Sequence, residues 1–128
     1  MLLRAELRKI ARARLKDAEL LFAARRFDGA VYMCGYAVEL ALKARICRTL
    51  NWNGFPATRR EFESYGAFKT HVLLHLSGIE SSITSNYFVD WSDVATWNPE
   101  VRYNPIGSAT RPQAARMLAA AKRLIRVL

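Results

Sequence analysis

VYMCGYAVELALKARIC, residues 31–47, is the stretch that decides the fold. Wound as an α-helix of 3.6 residues per turn, it puts Ala30, Met33, Cys34, Ala37, Ala41 and Ala44 on one side. Val31, Val38, Leu42 and Ile46 fall beside them, and only Tyr32, Tyr36, Glu39 and Lys43 gather on a narrow polar stripe. A helix apolar over most of its circumference belongs at the centre of a bundle. Its alanines and Gly35 let neighbours approach closely. Glu39, Lys43 and Arg45 interrupt it too often for a bilayer span, which takes roughly 18 continuous apolar residues.

Working outward, the sequence predicts a helix over about 4–25, before the central one at about 29–50. Leu7, Ala11, Leu15, Ala18 and Phe22 make a single apolar stripe, and Arg8, Lys9, Arg12, Lys16, Asp17 and Glu19 take the other side. Asp28-Gly29 reads as the short turn between the two, with Asp28 as N-cap of the second. Charge interrupts the first residues, which lack a continuous apolar region and a small-residue cleavage site, so a signal peptide is not expected.

Downstream, NWNGFP (51–56) has turn chemistry. Thr58-Arg59-Arg60-Glu61 fits a capping box that starts a short helix to about Tyr65. A core helix at about 67–77 is built on Phe68, Val72, Leu73 and Leu76, and Gly78 ends or bends it. ESSITSN (80–86) reads as a polar loop. YFVDWSDVATW (87–97) reads as a short helix with Phe88, Trp91 and Ala95 in line. Thr110-Arg111-Pro112-Gln113 fits a second capping box. It opens a last helix with the stripe Ala114, Met117, Leu118, Ala121, Leu124, Ile125 and Leu128. No strand pattern, repeat or linker is evident. The expected fold is all-α, one domain over 1–128, an antiparallel bundle of four main helices with a short fifth.

The formal charge of +9 favours polyanionic partners such as nucleic acid, nucleotides or an acidic protein. From Arg111 onward there are five basic residues and no acid. Arg116, Lys122, Arg123 and Arg126 therefore form a candidate nucleic-acid surface on the last helix. Cys34 and Cys47, thirteen residues apart, lie about 20 Å apart along one helix and cannot bridge. They read as core residues of a reducing cytosol, and a cytoplasmic protein with no membrane span is expected.

Three segments carry a family likeness: AELLFAARRFDGAVYMCGYAVELALKA (18–44), Thr70-His71 followed by Leu73, Leu74 and Leu76, and Trp97 followed by Arg102-Tyr103. Their order resembles the HEPN domains of prokaryotic toxin–antitoxin and defence loci. The resemblance implies a homodimer of helical bundles with a basic cleft. It also implies a possible nucleotidyltransferase partner encoded next door. In many members an arginine in the loop before the last helix, with a histidine after four to six intervening residues, forms an RNase site. Here Arg102 is followed at those offsets by Gly107, Ser108 and Ala109, and the histidine is absent.

The candidate ligand-binding residues are Arg102, Tyr103, Glu39, Lys43 and Tyr36. Arg102 reads either as a guanidinium aimed at phosphate, with Tyr103 as a stacking ring, or as the buried partner of Glu39, the single acid between Asp28 and Glu61. Lys43 reads as a helix-surface partner of Glu39 at i, i+4. Trp91, Trp97, Tyr87 and Phe88 either stack bases or wedge the loop WNPEVRYNP (97–105) in place. His71 and His75 have metal-compatible spacing but no third ligand, so no metal and no cofactor is expected. The function expected is a binding module for RNA, nucleotide or a partner protein. The alternative is an RNase toxin whose rearranged site uses Arg102 with His71 or His75.

Overall fold

The alternation of apolar and charged residues at helical spacing folds as expected into helices. The computed structural model describes residues 2–56 and 70–128. Helix α1 spans Arg4–Ala23 and α2 spans Phe27–Thr49. The shorter helices α3 (Thr70–Leu76), α4 (Glu80–Asn86) and α5 (Phe88–Val94) follow. A 3₁₀ turn at Pro99–Tyr103 leads to α6, Arg111–Val127. Helices α1, α2 and α6 pack on one another, α5 lies on α6 and α3 lies on α2. The all-α bundle is borne out.

Helix α2 is the axis of the core. Every residue from Ala37 to Ala44 is buried, which covers two full turns and therefore the whole circumference. Cys34 and Cys47 are free and buried, and burial pushes the Cys34 thiol up to about 12. Neither is a ready nucleophile. Among the described residues no helix is long and apolar enough to cross a membrane.

The α1–α2 turn differs from expectation. Asp28 and Gly29 sit inside the first turn of α2, and the chain reverses at Ala24–Arg26 instead. Arg25 takes a left-handed φ of 61°. The Arg26 amide bonds the Leu21 carbonyl at 2.8 Å and the Arg25 amide bonds Phe22 at 3.0 Å. This is the Schellman arrangement, usually built on glycine. The end of α2 repeats it on Asn51, φ 54°, with Trp52 bonded to Cys47 at 2.7 Å.

Three further expectations are corrected. ESSITSN is helix α4, because Ile83 is buried and anchors an otherwise polar turn. Phe88 is exposed, and α5 buries Asp90, Trp91 and Val94 instead. A strand pair exists: Leu2–Leu3 (β1) runs antiparallel to Gly54–Phe55 (β2), which ties the start of α1 to the segment after α2. The 58–61 capping box, its short helix and Phe68 lie outside the described residues. The second capping box is formed as read: the Gln113 amide donates to Thr110 Oγ1 at 3.3 Å, and the Thr110 amide to Gln113 Oε1 at 3.0 Å.

Candidate functional site

A loop with two prolines needs an anchor to hold a side chain in place, and Trp97 supplies it. The indole is buried against Gly35 of α2 and lies 5.9 Å from the Tyr32 ring. Asn98 Oδ1 then accepts from the Glu100 amide at 2.8 Å and opens the 3₁₀ turn. That turn carries Arg102 to the rim of an open cleft of about 640 Å³, walled by the start of α2, the end of α5 and the start of α6. The far side of the loop is tied down by Asp28. Its carboxylate accepts from the Gly107 amide at 2.6 Å and the Ala109 amide at 2.8 Å. These bonds hold the Asp28 carboxyl below the usual carboxylate range.

Arg102 is exposed, with its guanidinium carbon 5.0 Å from the Tyr103 ring centroid, and the Tyr32 phenol first and Tyr103 second raise its pKa. Arg116 lines the same cleft, 3.9 Å from Asp93. Of the charged residues lining the cleft, Asp28 is committed to backbone amides and Asp93 faces Arg116. Arg102 is the one without an oppositely charged partner among the described residues. It is therefore an exposed cation beside the Tyr103 ring, open to an incoming anion.

The expected Arg102–Glu39 ion pair is not formed. Glu39 is buried one turn from Lys43 on the same helix, with Oε2 3.9 Å from Lys43 Nζ. Lys43 is buried too, its ammonium 5.4 Å from the Phe55 ring centroid. This corrects its reading as a surface residue. Burial raises the Glu39 pKa and lowers that of Lys43, each opposed by the other's charge. Glu39 Oε1 has no hydrogen-bond partner among the described residues. The pair belongs to the core, and the cleft lining includes neither residue. Tyr36 is half-buried, 6.2 Å from Tyr32 in the ring stack behind Arg102.

The basic arc of α6 is also less free than its sequence suggests. Lys122 pairs with Glu19 of α1 at 3.3 Å, and Arg123 grips Asp90 of α5 at 2.6–2.9 Å. The acids absent from α6 arrive from its neighbours. Arg126 alone of the four faces no acid among the described residues, and it lies at the other end of the helix. His71 and His75 are exposed on α3, with His75 Nδ1 2.9 Å from Glu80, and neither lines the Arg102 cleft. Among the described residues no cluster of three or more His, Cys, Asp or Glu is placed to hold a metal.

Sequence reasoning missed Tyr32 and Asp28 as site-builders. The i, i+4 spacing of Tyr32 and Tyr36 on the narrow polar stripe was the available signal for the first. Nothing local signalled the second, whose partners lie 79 and 81 residues away.

Residues 5–60 match the model of the HEPN domain. No curated protein and no solved structure matches the chain. The matched segment holds nearly all of α1 and the whole of α2, and the resemblance read from residues 18–44 is borne out there. The loop bearing Arg102 lies beyond it.

Proposed function

We propose, from the HEPN match over residues 5–60, that this chain is a binding module whose Arg102 cleft takes an RNA segment or a nucleotide. The observation that carries the reading is the exposed Arg102 guanidinium, beside the Tyr103 ring on the rim of an open cleft that Tyr32 also lines. A phosphate accepts from a guanidinium in a fork geometry, and Tyr103, exposed on the same turn, offers a face for a base. With no histidine at 107–109, no general base stands near Arg102 in the family arrangement, and binding without cleavage is the expected behaviour.

The test is anisotropy titration of single-stranded RNA and of ATP against wild type and Arg102→Ala. Affinity about tenfold weaker in the variant is expected for one lost charge-assisted contact. Equal affinity rejects the reading. Labelled RNA incubated with the protein in EDTA should stay intact; cleavage that depends on Arg102 and His71 or His75 would favour the RNase alternative. The family likeness also supports a homodimer, with Ile106 fully exposed beside the cleft. A nucleotidyltransferase partner is the further expectation of the same likeness.

A further inference from the structure

At the end of α2 opposite the cleft, arginines converge from three helices. Arg4 and Arg8 come from α1, Arg45 and Arg48 from the last turns of α2, and Arg126 from the last turn of α6. Together they line a concavity of about 500 Å³, with Ala5, Val127 and Leu128 completing it. None of the five pairs with an Asp or Glu side chain among the described residues. Arg8 donates to the main-chain oxygen of Leu128 at 2.9 Å. Arg45 Nε is buried and has no hydrogen-bond partner among the described residues. An unmet buried donor is destabilising, and clustered like charges repel one another. The pKa values of Arg8 and Arg45 are both lowered, by burial first and then by neighbouring guanidiniums. The fold gathers five guanidiniums here, and beyond the Leu128 oxygen that Arg8 bonds, no Asp or Glu among the described residues faces them.

We propose that this concavity is a second anion site, built for a compact oligophosphate such as a di- or triphosphate group. Several guanidiniums around one hollow can each present paired N–H donors to phosphate oxygens. Among the described residues no aromatic ring lines the hollow, so the phosphates are what these arginines recognise. A long strand would need a continuous basic track. The adjoining cations of α6 do not supply one, because Lys122 and Arg123 are engaged with Glu19 and Asp90. The site is distinct from the Arg102 cleft. Asp28 and Arg45 lie seventeen residues apart on α2, about 25 Å along the axis.

The probe is inorganic triphosphate, titrated calorimetrically at constant ionic strength. Wild type should bind it, and the double variant Arg45→Gln/Arg48→Gln should bind at least about tenfold more weakly, while Arg102→Ala binds like wild type. ATP distinguishes the source. Equal affinity points to free oligophosphate and tighter binding to a nucleotide, each with the same dependence on Arg45 and Arg48, and both support the site. With repulsion relieved, the unliganded double variant should melt at or above the wild-type temperature. If it fails to fold, Arg4→Gln/Arg126→Gln, which alters exposed side chains, replaces it with the same expected loss. Triphosphate binding no tighter than that of chloride overturns the proposal. So does loss of binding in Arg102→Ala alone, or single-stranded RNA binding far more tightly than triphosphate through the same arginines.

Discussion

The indole of Trp97 lies directly on the backbone of Gly35, so that a Cβ at residue 35 would fall inside the ring's van der Waals envelope. This contact couples the centre of α2 to the loop that presents Arg102. Gly35→Ala must displace either the indole or the helix. Overpacking of this kind costs about 1–3 kcal/mol. Thermal or urea denaturation should register that loss. Trp97→Leu in the same chain should restore part of it, since neighbours in contact are not additive. A Gly35→Ala protein as stable as wild type would show that the indole is not held there.

Arg25 occupies the left-handed position that closes α1. A residue with a Cβ pays roughly 1 kcal/mol there that glycine avoids. Arg25→Gly should therefore raise the denaturation midpoint, although glycine substitutions usually lower it. Arg25→Val should lower it.

Asp28→Ala removes the acceptor for the Gly107 and Ala109 amides. At neutral pH the cost should be about 0.5–1 kcal/mol, below the usual range for hydrogen bonds to charged groups because the group is screened by water. The folded-state pKa of Asp28 is depressed. Its contribution is therefore fully present above the unfolded value, near 4, and fades as pH falls through the lower folded value. Urea midpoints of wild type and variant should converge at the acid end and differ above it.

Lys43→Met leaves the buried Glu39 carboxylate without its nearby cation, a change that costs about 3 kcal/mol in buried pairs. Adding Glu39→Gln to that background should then stabilise. The folded pKa of Glu39 is raised by burial. For such a group the penalty is complete above the folded value and gone below the unfolded one. The Lys43→Met protein should thus gain stability relative to wild type as pH falls through that window. A flat difference would place the cost elsewhere.

Ile106, fully exposed on the cleft loop, should matter if two copies meet there. Light scattering of wild type should give twice the chain mass, and Ile106→Asp should shift it toward one chain. A wild-type monomer at high concentration would remove the dimer from the proposed function.

The central helix was legible because periodicity reports burial, and the apolar residues among Ala37–Ala44 are buried as that pattern requires, while Glu39 and Lys43 are buried against it. The last helix was legible because its cap is local chemistry. The pairing of Glu39 with Lys43 was legible from its i, i+4 spacing, but its burial was not. A surface pair and a buried pair have the same spacing, and only packing distinguishes them. Helix α4 has no apolar stripe to read, since Ile83 alone anchors it. The acids facing Lys122 and Arg123 come from α1 and α5, so a basic arc judged on its own helix looked freer than it is. The arginine hollow was invisible for the same reason: its five members are spread over 122 positions of sequence.

Residues 4 and 5 line the same hollow as residues 127 and 128. An affinity tag or fusion partner attached before Leu2 or after Leu128 would therefore emerge beside those arginines. A polyhistidine tail could add charge at that spot, and an acidic epitope could plug it. Ligand measurements on tagged material would then report on the tag, so purification handles should be cleaved first or moved to an internal surface far from both ends.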